Sequence, residues 1–257
     1  MIKRNTQQRR DNIISLLDAQ EQVTVDELTQ RFGTSEVTIR KDLNILENSG
    51  LLLRKHGGAV KLSGARNGNE NPKISNRKKS IAKAAQSLIN NHSRIIIDSG
   101  NTTAALIPYL TRKRGLIVMT NSLSVTQSLV NQEQEITVLN TGGTWDPQSH
   151  SFQGQMAEKI LRAYNFDQAF VGATGLDIDS GTTTFNELTS LTRVMADVAE
   201  QVIVMAESSK LQHKIPNVEL PWDMVSVLVT DDDISSAAKE RIQQQGVKVI
   251  CASEQDL

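Results

Sequence analysis

The sequence contains one cysteine, no excess of either charge and no long apolar run. The single cysteine, Cys251, excludes an intramolecular disulfide, and no cysteine and histidine spacing indicates a structural metal site. No segment approaches the roughly 20 apolar residues of a membrane span, and the first ten residues lack the apolar core of a signal peptide. We therefore expect a soluble, cytoplasmic protein with no metal, no cofactor and no membrane partner.

The charge balance does not by itself indicate a polyanionic partner. The 28 basic and 29 acidic residues give a formal net charge of −1. Residues 1–60 hold nine Lys and Arg against eight Asp and Glu, which leaves 19 against 21 for the rest of the chain. A nucleic-acid site must therefore depend on local placement of basic residues. The candidates near the N-terminus are Lys3, Arg4, Arg9, Arg10, Arg40, Lys41, Arg54 and Lys55.

Residues 34–48 have the pattern of an amphipathic helix that is suited to a DNA groove. Apolar residues recur at three- and four-residue steps and predict one buried stripe, made of Val37, Ile39, Leu43, Ile45 and Leu46. Polar residues between them remain available to solvent or a ligand, and Thr34 or Ser35 can cap the helix.

The flanking segments predict a winged helix-turn-helix. Thr24–Phe32 forms a shorter amphipathic helix, Gly33 breaks it, and residues 51–62 form two short strands around a Gly-Gly turn. Two helices joined by glycine can also be a plain helical corner, so the wing is what favours DNA binding. A first helix at residues 6–19 carries Arg9 and Arg10 on its outer side, where they either reach phosphates or form a solvated face.

These motifs resemble the N-terminal signature of DeoR-family transcriptional regulators. The resemblance rests on Ser35-x2-Thr38-Ile-Arg-Lys-Asp-Leu43, the Arg9-x3-Ile13 spacing and Gly57-Gly-Ala59. It implies that residues 34–48 are the recognition helix. The residues predicted to contact DNA are Thr34, Ser35, Glu36, Thr38, Arg40, Lys41, Asn44, Arg54, Lys55 and His56.

The length of 257 residues suits this small domain plus a larger one. Residues 1–61 are the predicted winged helix-turn-helix, and the polar segment 62–74 is the predicted linker. From residue 75, seven short apolar runs alternate with helical patterns, which predicts an open, mostly parallel α/β sheet buried on both faces. The runs are residues 94–98, 116–121, 136–140, 169–172, 202–206, 225–231 and 247–251.

Four of the predicted strands end in polar loops, at residues 98–103, 120–122, 141–144 and 207–210. In open α/β sheets, ligands bind at the carboxyl ends of the strands. Hydroxyl residues, glycines and helix N-termini suit an anion, and Lys210 supplies a full positive charge. Taken singly, the loop at 98–103 is better explained as an ordinary turn, and the others can also be turns or exposed charges. Their convergence is what predicts a pocket for a phosphorylated, hydroxyl-rich molecule. Asp177 and Glu187 either bind sugar hydroxyls or serve local structure.

The second part of the chain is similar to the sensor domain of the same family, which implies a fold like ribose-5-phosphate isomerase and recognition of phosphorylated sugars. Thr174, Glu207 and Asn101 depart from the family pattern, which affects the identity of the ligand more than its class. The sequence around residues 151–154, 182–187 and 215–218 is similar to the corresponding sequence in regulators of glucitol, galactitol and N-acetylgalactosamine operons. The predicted effector-binding residues are Asp98, Ser99, Gly100, Asn101, Thr102, Thr103, Asn121, Ser122, Gly142, Gly143, Asp177, Asn186, Glu187 and Lys210.

The leading hypothesis is a transcriptional repressor of a carbohydrate or polyol operon that binds double-stranded operator DNA and is released by a phosphorylated sugar or polyol. One alternative is a sugar-phosphate isomerase with an accessory DNA-binding domain, which needs a general base such as Asp98, Asp177 or Glu187. Another is a ligand-free structural DNA binder. The net charge of −2 beyond residue 60 opposes this hypothesis, because such a protein would have a basic second domain. Because one winged helix makes few base contacts, we also expect a homo-oligomer, either a dimer or a tetramer.

Overall fold

A computed structural model describes residues 6–20, 22–48, 51–55, 57–61, 74–132, 135–147, 149–184, 190–212, 215 and 217–257. The chain divides into two compact units, Met1–Pro72 and Lys73–Leu257. The predicted linker, residues 62–74, lies almost entirely outside the described residues. None of the helices in the described ranges combines the length and apolar character that crossing a membrane requires.

The first unit is a winged helix-turn-helix. Its elements are α1 (Thr6–Gln20), β1 (Gln22–Thr24), α2 (Val25–Phe32), α3 (Glu36–Asn48), β2 (Leu52–Lys55) and β3 (Gly58–Lys61). Thr24 caps α2 by accepting the Glu27 N–H at 3.2 Å, and Gly33 ends it with φ of 55°, a conformation that favours glycine. The β2–β3 hairpin is the predicted wing. Strand β1 was not predicted, and it pairs with β3 to give the antiparallel order β1-β3-β2.

Helix α3 buries one side and exposes the other. Ile39, Leu43 and Leu46 are buried in the core of this unit, as predicted. The prediction that Val37 belongs to this stripe was wrong, because 76% of Val37 is exposed. Val37 and Ile39 are two residues apart and therefore lie about 200° apart around the helix axis.

Two arginines of α1 hold the underside of α3. The guanidinium groups of Arg9 and Arg10 donate to the carboxylate of Asp42 at 2.6 Å and 2.9 Å. Only 2% of the Asp42 side chain is exposed, and a buried carboxylate is costly unless it is paired. The prediction that Arg9 and Arg10 reach phosphates or form a solvated face was therefore wrong. They fix α1 against the recognition helix.

The second unit begins with α4 and ends with a short 3₁₀ helix at Glu254–Asp256. Its first half contains α4 (Asn76–Gln86), β4 (Arg94–Ile97), α5 (Asn101–Ala104), α6 (Ile107–Leu110), β5 (Ile117–Thr120), α7 (Leu123–Val130), β6 (Thr137–Asn140), β7 (Thr144–Asp146), β8 (Ser151–Gln153) and α8 (Gln155–Arg162). Its second half contains β9 (Phe166–Val171), β10 (Gly175–Asp177), β11 (Gly181–Thr184), α9 (Ser190–Asp197), β12 (Ala199–Met205), β13 (Asn217–Pro221), β14 (Val227–Asp231), α10 (Ser236–Gln244) and β15 (Lys248–Ala252), with 3₁₀ helices at Ser208–Gln212 and Trp222–Met224.

A seven-stranded sheet organises this unit, in the order β15-β14-β12-β9-β4-β5-β6, and every neighbouring pair in it is parallel. The seven predicted apolar runs supply its seven strands. Alternate residues enter two different cores, since Ile95 and Ile97 pack with α4 whereas Ile96 packs with α8 and α9. Burial on both faces is the reason why the runs are continuously apolar, and it confirms the predicted α/β fold.

Two smaller β structures were not predicted. Strands β7 and β8 form a hairpin, and β10, β11 and β13 form an antiparallel sheet with β11 in the centre. Residues 181–184 are the buried central strand of this sheet. Gly181 is required there because an added Cβ would lie 2.0 Å from the Leu220 carbonyl oxygen.

Candidate functional site

The solvent-facing side of α3 is polar and carries the predicted reading residues. Glu36, Arg40, Lys41 and Asn44 are all exposed. The hydroxyl of Ser35 accepts the Thr38 N–H at 3.3 Å and thereby caps the helix, as predicted. Arg40 pairs with Glu36 one turn earlier, at 3.2 Å, which orients the guanidinium along the exposed face.

The wing is tied to the second half of α3 through Arg54. Its backbone N–H donates to the Glu47 carboxylate at 2.9 Å, and its guanidinium donates to the Asn44 side-chain oxygen at 3.2 Å. Arg54 and Asn44 therefore belong to one connected polar surface. Lys55 lies in β2, and His56 lies outside the described residues. Thr34 is in the turn before α3, where its N–H donates to the Thr29 carbonyl at 3.3 Å.

In the second unit, the ends of β4 and β5 meet through Asp98 and Asn121. The Asp98 carboxylate accepts the Ser99 N–H at 2.7 Å and is also hydrogen-bonded by the Asn121 side chain and the Gly172 backbone. The Asn121 side-chain oxygen accepts the same Ser99 N–H at 2.9 Å. Two predicted effector loops are thus brought together, as the parallel sheet requires.

The rest of the first loop is partly a structural turn. Thr103 is buried, and its hydroxyl donates to the Asp98 carbonyl at 2.8 Å and the Gly100 carbonyl at 3.1 Å. Ser99, Asn101 and Thr102 are half-buried around it. The following helix, α5, has only four residues, so the helix dipole expected to attract an anion here is that of a single turn.

Ser122 and Gly143 have structural roles, and Gly142 adopts a φ of 57° in the same loop. Ser122 is buried and caps α7 by accepting the Val125 N–H at 3.3 Å. The Gly142-Gly143 loop leads into β7, whereas a helix had been expected after it. Gly143 has φ of 110°, and an added Cβ would lie 2.6 Å from the Gln153 carbonyl oxygen.

Lys210 lies beside a second lysine at the end of β12. It is half-buried in the 3₁₀ helix that follows this strand, which Ser208 anchors by donating to the buried Asp231 at 2.8 Å and 2.6 Å. Burial lowers the pKa of Lys210, the charge of Lys78 lowers it further, and Glu207 opposes both. Lys78, on α4, lies 3.8 Å from the Glu207 carboxylate. The basic run 77–79 was the only sequence signal for Lys78, and the sequence reasoning did not use it.

Two carboxylates with raised pKa values, Glu219 and Asp98, interact electrostatically in this unit. Burial raises the pKa of Glu219, on β13, to about 7, and the charge of Asp98 adds to the effect. Burial likewise raises the pKa of Asp98 to about 6, against the hydrogen bonds that it accepts. Glu219 accepts the Thr192 hydroxyl at 2.9 Å and is also hydrogen-bonded by Thr182. Sequence reasoning missed Glu219, whose signal was one acidic residue between the apolar Val218 and Leu220.

Asp177 serves the turn between β10 and β11. Although partial burial acts the other way, the N–H groups of Ser180 and Asp179 lower its pKa, donating to its carboxylate at 2.8 Å and 3.0 Å. Its side chain is exposed, and its carboxylate accepts hydrogen bonds from the backbone of the same turn. Asn186 and Glu187 lie outside the described residues.

Replacing Glu219 with glutamine should remove part of the pH dependence of the second unit's stability. The folded carboxyl has a pKa of about 7 against an ordinary 4.5, so the native state binds more protons than the unfolded state in this window. The stabilisation that the protonated Glu219 carboxyl gives the folded state is fully present below pH 4.5 and is lost as the pH rises towards 7. At pH 7.5, Glu219→Gln should therefore be more stable than the parent by about 1–3 kcal/mol, at roughly 1.4 kcal/mol per pKa unit.

Denaturant unfolding followed by tryptophan fluorescence between pH 4.5 and 8 measures this effect. Both tryptophans, Trp145 and Trp222, lie in the second unit, so the signal reports that unit alone. Glu240→Gln, at an exposed position on α10, is the matched control and should keep the parent's pH profile. An unchanged profile for Glu219→Gln would show that titration of Glu219 is not coupled to folding.

Two family models match this chain. The DeoR-like helix-turn-helix domain matches residues 9–64, and the DeoR C-terminal sensor domain matches residues 73–232. Over 257 aligned residues the chain is 35% identical to a candidate aga operon transcriptional repressor of Escherichia coli O157:H7, covering 97% of this chain and 95% of that protein. It is 31% identical to the transcriptional repressor AccR of Agrobacterium fabrum, covering 90% of this chain and 92% of that protein.

Among solved structures, ribose 5-phosphate isomerase A of Methanocaldococcus jannaschii is 18% identical, with a TM-score of 0.39 over 52% of each chain. The two family models together cover the helix-turn-helix and most of the second unit, and the relatives are matched over nearly their whole length. The chain therefore belongs to the DeoR family of DNA-binding transcriptional regulators.

Proposed function

We propose that this regulator represses a carbohydrate or polyol utilisation operon, and that a phosphorylated sugar or polyol bound in the second unit releases it from its operator. The repressing sense follows the relatives, two of which are named as transcriptional repressors. The class of effector rests mainly on one observation, the pair of half-buried lysines, Lys78 and Lys210, beside the polar strand ends.

The lysine pair suits a phosphate because the two positive charges destabilise each other. Lys78 lowers the pKa of Lys210, and Glu207 is the acid that offsets this effect. A phosphate dianion near both ammonium groups relieves the repulsion and accepts charge-assisted hydrogen bonds. Ser99, Asn101 and Thr102 supply polar groups at the end of β4, which lies two strands from β12 at the same edge of the sheet. Asp98 and Glu219 accept hydrogen bonds from hydroxyl or amino groups of the sugar.

The same geometry suggests how the effector acts on the chain. Helix α4 is the first element after the predicted linker, and both Ser75, at its N-cap, and Lys78 contact Glu207, at 3.5 Å and 3.8 Å. A phosphate that draws Lys78 and Lys210 together competes with Glu207 for Lys78. Effector binding therefore acts directly on the first helix after the predicted linker. We propose residues 1–61, 62–74 and 75–257 as the DNA-binding domain, linker and sensor domain.

The isomerase alternative has one observation in its favour, since carboxyls with a pKa near 7 suit a general base. The relatives argue against it, because they are named as transcriptional regulators and align over nearly the whole chain. Thr174 also stands where the family commonly has a carboxylate. This chain is a regulator rather than an enzyme, and the absence of isomerase turnover on each sugar phosphate that binds is the direct check.

Lys210→Ala and Lys78→Ala should each give a repressor that binds operator normally but is not released by effector. Losing a charge-assisted contact to phosphate costs about 1.5–3 kcal/mol, so effector affinity should fall about 10- to 150-fold. A thermal-shift panel of hexose, hexitol and amino-sugar 6-phosphates with their unphosphorylated counterparts first identifies the effector. Operator release is then titrated by fluorescence anisotropy.

Lys159→Ala is the control for these variants, since Lys159 is exposed on α8. It should behave as the parent does. If effector released Lys210→Ala from operator at the same concentration as the parent, the loop that holds Lys210 would not be the phosphate-binding loop. A parent protein that responds equally to the unphosphorylated compound would refute the phosphorylated class.

Arg40→Ala should weaken operator binding severely and leave effector affinity unchanged. A bidentate contact to guanine costs about 1–3 kcal/mol and relaxes the preference at one position, whereas a phosphate contact lowers affinity for all sequences alike. Binding measured over single-base operator variants distinguishes the two. Arg162→Ala, which removes another exposed helical arginine in an ion pair, is the control. Unchanged binding of Arg40→Ala would exclude Arg40 from the interface.

We also propose that the protein acts as a closed homo-oligomer, a dimer or a tetramer, held mainly through residues 75–257. One winged helix offers few base contacts, so two half-sites are needed for useful specificity. Sedimentation of the full chain at micromolar concentration should show the oligomer, and the operator fragment should bind an even number of copies. A monomer that binds its operator tightly would contradict this proposal.

A further inference from the structure

Val37 is an exposed apolar side chain on the reading face of the recognition helix. Of its surface, 76% is accessible, the highest value for a large apolar residue in the described part of the chain. Single exposed apolar residues are common, so exposure alone assigns no role. The position is what matters here. Val37 precedes Arg40, Lys41 and Asn44 by three, four and seven residues, and therefore lies on the same face of α3 as these polar groups.

Valine is a poor choice at this position for the free protein. Its branched side chain loses rotamer freedom in a helix, so alanine forms helices better at an exposed site. The side chain also contributes nothing to the core of the first unit, which contains Ile39, Leu43 and Leu46 instead. A favourable contact for Val37 must therefore come from whatever covers this face of α3.

We propose that Val37 contacts the 5-methyl group of a thymine in the major groove of the operator. Residues at the start of a recognition helix reach base edges, and Val37 lies in the first turn of α3. The thymine methyl is the apolar group that the major groove presents. Arg40 and Lys41, on the same exposed face, supply positive charges that complement a polyanion, which makes DNA the occupant.

The spacing on α3 also places the thymine. Val37 and Arg40 are separated by three residues, which is about 4.5 Å along the helix axis. Successive bases on one strand are about 3.4 Å apart. The thymine read by Val37 therefore lies within about two base pairs of the base whose preference Arg40→Ala relaxes.

Uracil substitution tests this contact, because it removes the methyl group and leaves the base-pairing groups of thymine in place. The operator fragment is selected from random-sequence duplexes with the full-length protein, and each thymine is then replaced by uracil in turn. For the parent, one replacement should weaken binding about fourfold, which is the effect of one buried methyl group. Val37→Ala should bind the thymine duplex roughly four- to tenfold more weakly, and the same uracil replacement should then have no effect.

The controls separate this contact from folding and from other surfaces. Val37→Ala should not be destabilised, since alanine is the better helix former, and hydrogen exchange of α3 checks this. Val130→Ala is the matched variant, because Val130 is 65% exposed on α7, and it should bind every duplex as the parent does.

Two results overturn the proposal. Parent-like binding of Val37→Ala to all duplexes would place Val37 outside the interface. Equal weakening on the thymine and uracil duplexes would show that Val37 contacts sugar, phosphate or another copy of the chain, and not a methyl group. Failure of the parent to select any sequence would instead refute sequence-specific DNA binding, so the two failures are distinguishable.

Discussion

The second unit depends on the parallel pairing of seven strands. Parallel strands end at the same edge of a sheet, so residues that are far apart in sequence are forced together there. Asp98 and Asn121 meet because β4 and β5 are neighbours, and Ser208 meets Asp231 because β12 and β14 are neighbours. The hydrogen bonds among these side chains then fix the loops. The polar groups of the proposed effector site are therefore placed by the backbone register and not by the loops alone.

The first unit obeys a different constraint, since α3 must bury one side and present the other. Ile39, Leu43 and Leu46 supply the apolar contact, and Asp42 adds a buried carboxylate held by Arg9 and Arg10. A charged pair at this depth contributes little net stability compared with apolar packing, but it is directional. It fixes the rotation of α3 about its own axis, and this rotation decides that Val37, Arg40 and Lys41 face outward.

The features that could be predicted from the sequence are those that depend on the local pattern of apolar and polar residues. Continuous apolar runs identified all seven strands of the parallel sheet, and the three- and four-residue spacing identified α3 and most of its buried side, although Val37 was wrongly assigned to that side. The features that it failed to predict depend on partners distant in the chain. Nothing near Arg9 indicates that Asp42 is its partner 33 residues later. Likewise, nothing near Glu219 indicates that the charge of Asp98 acts on it. The strand β11 was missed because its pattern of glycine and threonines is dictated by the close approach of β13.

Release from DNA by an effector requires that the DNA-binding surface and the effector site be coupled. Reciprocity is the most direct test of this coupling. If effector binding lowers operator affinity by some factor, saturating operator must lower effector affinity by the same factor, since both report one coupling free energy. Calorimetric titration of the full-length protein with the identified sugar phosphate, with and without operator DNA, measures it. We expect an effector affinity reduced about 5- to 150-fold by operator, equal to the loss of operator affinity caused by effector. The same effector affinity in both titrations would contradict control of DNA binding by this ligand.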